Sequence, residues 1–170
     1  MSIFKEIKDL ENNKTQPKSW YRSVLEEKLS NFNWEKSDND IDTKNINPNG
    51  SVYFFNYSAE YPQNYPYYDR YPMAYIININ TSKGFFLGAN LHYLSPEERS
   101  DVAKTLINKG GEWRGIVPER CLHTYLILNC GPLLRVPPSE WENLSKLPTQ
   151  DFRDQNGRYV SDSKVWSGNR

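Results

Sequence analysis

Two stretches near the N-terminus place apolar residues at helical spacing. Apolar positions three residues apart predict a short helix over residues 3–11, and Pro17 ends this pattern. A longer apolar stripe, opposite charged positions, predicts a second helix over residues 18–32. Residues 33–50 are polar, rich in Asn and Asp, and show no period. We therefore expect a helical arm on a polar linker, which either folds back on its own domain or docks on a neighbour.

The middle of the chain is rich in aromatic and β-branched residues, many of which alternate with polar ones, as is typical of β-strands. These residues predict strands over residues 51–58, 73–80 and 84–94, and a short hairpin connection joins the last two. The apolar centre of residues 119–129 favours a further strand over a buried helix. We expect these strands to form an antiparallel sheet.

The clearest helix signal begins at Ser95. This residue occupies the N-cap position, Pro96 the first helical position, and Glu98 completes a capping box. The pattern predicts a helix over residues 96–109. Together the elements predict an α+β fold: a small, strongly bent antiparallel sheet, or an SH3-like barrel, with packed helices, an N-terminal helical arm and an extended C-terminal tail.

Three regions follow from this pattern. Residues 1–50 form the helical arm and polar linker, residues 51–152 the α+β core domain, and residues 153–170 the extended tail. The tail shows no period, and its apolar residues are too sparse to bury themselves, with Val165 and Trp166 as its expected anchors. We therefore expect both ends of the chain to gain order against a neighbour.

Tyrosine is frequent, with 12 residues in a chain of 170. Five tyrosines and three prolines fall within residues 59–72. Tyrosine buries a large ring but keeps a hydroxyl group that needs a partner, which suits protein interfaces. We therefore predict that this loop and the tail bind partner proteins through Tyr61, Tyr65, Tyr67, Tyr68, Asp69, Arg70, Tyr71 and Trp166.

The charge is balanced, with 21 basic and 21 acidic residues and an isoelectric point near 6.7. Proteins that grip DNA through its phosphates normally carry a basic excess. No segment concentrates Lys and Arg, so the composition favours protein partners and disfavours nucleic acid. No apolar run is long enough to span a membrane, and the N-terminus lacks the pattern of a secretory signal. We therefore expect synthesis in the cytoplasm and no membrane partner.

Residues that could carry catalysis or hold a metal are few. The chain has two cysteines, Cys121 and Cys130, and two histidines, His92 and His123. Their spacing matches no common metal site, and no helix N-terminus or Gly-rich turn adjoins either cysteine to activate it. We therefore predict no catalytic residues, no metal and no cofactor, and keep a Cys–His hydrolase as a distant alternative.

The segment from Tyr53 to Arg99 resembles a group of short proteins encoded by T-even-like contractile-tailed phages. The group has an aromatic strand, a PYYDRFP loop, an apolar strand, and then GFxGxNLHYL before a helix. The ending VPPSEWENLSKLPTQDF, residues 136–152, resembles the same group. The matching positions in the first segment are Tyr53, Phe54, Phe55, Tyr57, Pro66, Tyr67, Tyr68, Asp69, Arg70, Pro72, Gly84, Phe85, Gly88, Asn90, Leu91, His92, Tyr93, Leu94, Pro96 and Arg99.

This resemblance implies phage origin and a place in the virion, and it implies no catalytic residues. We therefore predict a non-enzymatic structural protein of the tail, baseplate or neck, which bridges larger phage structural proteins in several copies per particle. Such a protein would be made in the host cytoplasm and reside in the virion. The alternative is a DNA-associated protein that protects or holds packaged genome ends, a role with which the group is associated. The neutral charge favours the structural protein over this alternative.

Overall fold

The computed structural model describes residues 2–31, 49–60, 62–110 and 112–168. The helices in this part of the chain are α1 (Ile3–Glu11), α2 (Lys18–Asn31), α3 (Pro96–Asn108), α4 (Trp141–Leu144) and α5 (Asp162–Trp166). The strands are β1 (Val52–Phe54), β2 (Tyr68–Asp69), β3 (Met73–Asn80), β4 (Phe85–Asn90), β5 (Leu122–Leu126), β6 (Leu134–Val136) and β7 (Phe152–Arg153). One-turn 3₁₀ helices join several of these elements.

Five strands form one antiparallel sheet in the order β5-β4-β3-β1-β6, and β2 pairs with β7 in a second, smaller sheet. The predicted hairpin of β3 and β4 is present, and its register shifts between Ile76 and Asn78, a bulge that bends the sheet. β4 ends at Asn90 because the Asn90 side chain accepts the N–H of His92 and starts a 3₁₀ turn. The prediction of an α+β fold with a small antiparallel sheet is confirmed.

The large sheet is open. β5 and β6 are its edges, and no ladder joins them within the described part of the chain. The sheet therefore does not close into the SH3-like barrel that was the predicted alternative. Side chains alternate along each strand and form a hydrophobic cluster on each face. Phe54 and Met73 point towards the helices, whereas Tyr53 and Ile76 point to the other face, where the connection between β5 and β6 covers them.

The predicted helical arm folds back on the sheet, the first of the two possibilities left open above. Ile3 of α1 and Leu25 and Leu29 of α2 are at most 3% exposed and join the cluster under the helices. The carboxylate of Glu140 holds the start of α1 by accepting the N–H groups of Ile3 at 3.0 Å and Phe4 at 3.1 Å. The burial of the apolar stripe explains why both helices follow their predicted bounds so closely.

The other predictions concern α3, the polar linker and the boundaries of the three regions. α3 begins at Pro96 as predicted and ends at Asn108, and both hydrogen bonds of the capping box are present. The predicted linker, residues 33–50, lies outside the described residues except for its last two. The boundaries of the three predicted regions stay predictions, although parts of all three regions share one hydrophobic cluster.

The C-terminal residues, predicted as an extended tail, pack on the core. Val160 is 6% exposed and Val165 is 0% exposed. Trp166 donates its indole N–H to the carbonyl oxygen of His92 at 3.1 Å. Sparse apolar residues suffice here because a hairpin turn directs Val160 inward and α5 directs Val165 inward. The tail therefore needs no neighbour in order to bury its apolar residues.

Candidate functional site

The smaller sheet brings together three segments that lie apart along the chain. β2 and β7 pair with Tyr68 opposite Arg153 and Asp69 opposite Phe152. An isolated bridge then pairs Arg153 with Tyr159. Because paired residues point to the same face of a sheet, Tyr68, Arg153 and Tyr159 form one row across three strands.

The inner face of this small sheet is closed against the core, and the row points outward. Asp69 is 3% exposed, Phe152 is 0% and Val160 is 6%. Tyr159, next to Val160, is 53% exposed. Since successive side chains of a strand point to opposite faces, burial of the first three residues turns their neighbours towards solvent.

A tight turn fixes the position of Tyr159. The carboxylate of Asp154 accepts the N–H groups of Asn156 at 2.8 Å and Arg158 at 2.9 Å. These N–H groups, that of Arg158 foremost, hold the pKa of Asp154 below its usual value. Gly157 has a φ of +76°, which glycine adopts without strain. Tyr159 is thus presented by a hairpin with a defined turn.

The first turns of α2 lie beside the outer face of the small sheet. Lys18 and Arg22 are four residues apart and therefore share one side of the helix. Lys18 Nζ is 2.6 Å from Asp162 Oδ2 and 3.2 Å from Tyr159 Oη. Arg22 Nη1 donates to the carbonyl oxygen of Gln150 at 3.3 Å. The helix thus adds two cations to the surface that carries the row.

Two more cations flank the carboxylate of Asp151. Arg70 Nη1 lies 3.4 Å from Asp151 Oδ2, and Arg153 Nε lies 2.9 Å from Oδ1. A carboxylate shared by two guanidinium groups neutralises only one of their charges. Arg22 lies over the ring of Tyr71, with 4.5 Å between the guanidinium carbon and the ring centroid, and Arg70 lies 5.9 Å from the same centroid.

We call this surface the basic–aromatic face; it consists of Lys18, Arg22, Tyr68, Arg70, Tyr71, Asp151, Arg153, Tyr159 and Asp162. Four of its side chains are cationic and two are anionic, so it carries excess positive charge although the formal net charge of the chain is zero. Arginine forks fit phosphate groups, and tyrosine rings offer a surface on which bases stack. The face therefore has the chemistry to bind the backbone and the bases of a nucleic acid together.

A buried polar network centred on Asp69 lies behind this face. The Oδ1 atom of Asp69 accepts the N–H groups of Tyr71 and Asp151, each at 3.0 Å. The Oδ2 atom accepts the side-chain N–H of Asn90 at 3.0 Å and lies 2.7 Å from Nδ1 of His92, which donates to it. Burial alone would raise the pKa of Asp69, but these partners, His92 foremost, hold it below its usual value. The carboxylate thus stays charged and joins the core to the segments that carry the face.

His92 extends the network towards the C-terminal segment. Its Nε2 atom is 3.0 Å from Thr149 Oγ1, and its carbonyl oxygen accepts from Arg99 Nη2 at 3.3 Å. Burial lowers the pKa of His92 below its usual value, so the ring is neutral at pH 7. The sequence of carboxylate, imidazole and hydroxyl is that of a hydrolase triad, but His92 and Thr149 are both 0% exposed. In the folded protein these groups connect segments and contact no solvent.

The predicted partner-binding residues of the tyrosine loop divide between the two faces of the small sheet. Tyr68, Arg70 and Tyr71 belong to the basic–aromatic face. Tyr67 and Asp69 point inward, and Tyr67 is 4% exposed, with its ring 6.1 Å from the ring of Tyr93. The prediction treated residues 59–72 as one loop surface, whereas strand β2 imposes alternation on its second half.

The other predicted residues lie elsewhere. Tyr65 is 43% exposed, and Trp166 is half-buried against His92 and Arg99. Tyr61 lies outside the described residues. Partner binding by any member of the predicted set stays a prediction.

Sequence reasoning missed Lys18, Arg22, Arg153 and Tyr159. One signal was the four-residue spacing of Lys18 and Arg22 in a predicted helix. A second was Asn-Gly at residues 156–157, between Phe152 and Val160, because Asn-Gly is a strong short-range hairpin signal. Neither signal alone would have shown that the four side chains meet.

Where the structure describes them, the cysteines and the possible metal ligands are not arranged as a reactive or metal-binding site. Cys121 is buried, and burial raises the pKa of Cys130 to about 12, the opposite of what a reactive thiol needs. Within the described residues, no group of three or more His, Cys, Asp and Glu side chains could hold a metal ion. No helix in residues 2–31, 49–60, 62–110 and 112–168 combines the length and apolar character needed to cross a membrane.

Comparison with known proteins identifies a family. The sequence model of the family described as the phage T4 terminal DNA protecting protein matches residues 5–123. The matched range includes Lys18, Arg22 and Arg70 of the basic–aromatic face, whereas Arg153 and Tyr159 lie beyond it. No curated protein and no solved structure matches the chain.

This match corrects one prediction, counts against a second and confirms part of a third. The family is described by protection of terminal DNA, so the prediction of a tail, baseplate or neck structural protein is wrong, and the alternative of genome-end protection is favoured. The family description also counts against the prediction that protein partners are favoured over nucleic acid, because it names DNA. Origin from a T4-like phage is confirmed. With most of its residues matched, the chain belongs to the family of the phage T4 terminal DNA protecting protein.

Proposed function

We propose that this protein binds the termini of linear phage DNA and shields them by occupying the sites that an exonuclease would need. The family description supports terminal DNA as the ligand. The observation that supports the place of binding is the basic–aromatic face, where four cations from three segments of the chain surround exposed and half-exposed tyrosine rings. Shielding of this kind needs no catalysis, and the protein acts as a non-enzymatic cap carried in the virion with the DNA.

The cations of the face act on the DNA backbone. Arg70 and Arg153 are 45% and 31% exposed at their side chains and share one carboxylate, so a phosphate can contact both without a large desolvation cost. Arg22 donates to backbone carbonyl oxygens and, among the described residues, pairs with no carboxylate. Each neutralised phosphate adds about −0.9 to the slope of log affinity against log salt concentration, so four cations give a slope no steeper than about −4.

The balanced charge of the remaining surface has a functional consequence. A protein with a formal net charge of zero gains little from long-range attraction to duplex DNA. Binding along the interior of a genome is therefore weak. What electrostatic attraction there is comes from the local face of excess positive charge. Such a protein can be selective for ends only if the end itself supplies additional contacts.

Binding and protection of linear duplex DNA test this proposal. Wild-type protein is expected to bind duplex with open ends and to slow its digestion by an exonuclease. The variant Arg22→Gln/Arg153→Gln should weaken binding by about 10-fold or more and reduce the salt slope by about 2, because two phosphate contacts are lost.

A matched control carries the same change in charge on exposed lysines of α3 and of its C-cap. The variant Lys104→Gln/Lys109→Gln should bind and protect DNA as the wild type does. Wild-type protein that neither binds nor protects open ends, or equal losses in both double variants, would overturn the proposal.

A further inference from the structure

An end of duplex DNA differs from its interior in one respect that a protein can recognise without knowing the sequence. An internal base pair is covered on both faces by its neighbours, whereas the terminal base pair exposes one face. An aromatic side chain placed beside phosphate-binding cations can stack on that free face. We infer that Tyr159 is the residue of this protein that recognises the terminus, by stacking on the terminal base; this inference rests on the proposed function.

Tyr159 is exposed and held in place at the same time. The residue is 53% exposed, although its backbone is fixed by the bridge to Arg153 and by the burial of Val160 next to it. The N–H of Val160 also donates to the carbonyl oxygen of Phe152 at 2.9 Å. An exposed ring on a fixed backbone loses little conformational entropy when a base covers it.

The ammonium group of Lys18 contacts the ring at its hydroxyl end. Lys18 Nζ is 3.2 Å from Tyr159 Oη but 5.3 Å from the ring centroid, so the ammonium group lies beyond the hydroxyl end of the ring. At that position the hydroxyl group receives a hydrogen bond and the centre of the ring is not occupied by the cation. The same lysine is anchored at 2.6 Å by Asp162.

The neighbours of Tyr159 in the row suit the two chemical groups of a DNA terminus, a base and its phosphate. Arg153 is directly opposite Tyr159, and Tyr68 is opposite Arg153 on the other side. Adjacent strands are about 4.8 Å apart, so the backbones that carry the two tyrosines are roughly 10 Å from each other, with that of Arg153 between them. A base stacked on Tyr159 therefore places its own phosphate within reach of Arg153, which is half-exposed.

The experiment compares one duplex in two forms, with open blunt ends and with both ends closed by hairpin loops. Wild-type protein is expected to prefer the open form by about 10-fold, within the range that stacking of one base provides. The variant Tyr159→Leu keeps an apolar side chain but cannot stack, and it should bind both forms equally. Any loss of affinity for the closed form should be smaller than the loss for the open form, because the cations of the face remain.

The variant Tyr159→Phe is the matched control, because it also loses the hydrogen bond to Lys18 but keeps the ring. It should retain the preference for open ends. A fluorescent base analogue at the terminal position should be quenched by wild type and by Tyr159→Phe, and not by Tyr159→Leu. If Tyr159→Leu keeps the preference for open ends, the inference is overturned while the proposed function stands. If the wild type itself shows no preference, both are overturned.

Discussion

The two faces of the small sheet are built from the same short strands and have opposite physical characters. On the inner face, the carboxylate of Asp69 is buried and each of its oxygen atoms has two hydrogen-bond partners. On the outer face, Asp151 is shared by Arg70 and Arg153, whose side chains are partly exposed. The inner carboxylate is fully engaged in the fold, whereas the outer cations retain capacity for a ligand.

This difference separates stability from binding at the level of single residues. A change on the inner face should lower the free energy of unfolding, because it leaves buried donors without acceptors. A change to a partly exposed cation of the outer face should alter DNA affinity and leave stability almost untouched, because exposed ion pairs contribute little. Adjacent residues of one strand can therefore be used to test the comparison, since alternation places them on opposite faces.

Removal of the inner carboxylate should have the largest effect. Asp69→Ala leaves the N–H groups of Tyr71 and Asp151, the amide of Asn90 and the ring of His92 without their shared acceptor. We expect a loss of about 3–5 kcal/mol in the free energy of unfolding, measured by urea denaturation.

The matched variant for this prediction removes the charge of the outer aspartate. Asp151 is 5% exposed, so Asp151→Asn should cost about 1–2 kcal/mol, less than Asp69→Ala, because its guanidinium partners are partly exposed and the amide oxygen can still accept a hydrogen bond. It should also bind duplex DNA more tightly than the wild type, since one negative charge leaves the face. Equal losses of stability in Asp69→Ala and Asp151→Asn would contradict the division between the two faces.

Two adjacent tyrosines provide a second comparison. Tyr67→Ala removes a ring that is 4% exposed and contacts Tyr93 and Phe152, and it should cost about 3 kcal/mol. Tyr68→Ala lies on the outer row and should cost less than about 1 kcal/mol. Thermal and urea unfolding of both variants measure the difference, and a stable Tyr67→Ala protein would show that the inner face is not part of the core.

Acidification should lower the stability of the protein mainly through the buried network of Asp69 and His92. The pKa of His92 is lowered below its usual 6.5, foremost by burial, so the unfolded chain binds more protons than the folded protein once the pH falls below about 6.5. Stability should therefore decline on acidification from that pH, with a slope of at most about 1.4 kcal/mol per pH unit from this group. The pKa of Asp69 is also lowered, so it contributes stability above its usual 3.8 that is lost as the pH falls further, through its folded-state pKa.

Substitution of the imidazole tests this prediction. His92→Gln keeps polar atoms near Asp69 but cannot titrate, so its stability should vary less than that of the wild type between pH 6.5 and 5. The measurement is urea denaturation at several pH values, which follows the slope and is independent of the absolute stability of the variant. An unchanged slope in His92→Gln would assign the acid sensitivity to another group.

Local patterns determined much of this fold from the sequence alone. The bounds of α1 and the capping box of α3 follow from residues within a few positions of one another. The β3–β4 hairpin is a local feature too, because its connection is short. Membership of a phage protein family was likewise visible in a continuous segment, because a resemblance is carried by consecutive residues.

The tertiary structure decided what the sequence could not show, namely which charges meet. Lys18 and Arg22 come from a helix near the N-terminus, Arg70 from the tyrosine loop, and Arg153 and Tyr159 from the C-terminal hairpin. Charge averaged along the chain is zero, and no segment is rich in basic residues, so the composition argued for a protein partner. Electrostatic attraction depends on distance in space and not on separation along the chain, and only folding places four cations around two carboxylates on one face.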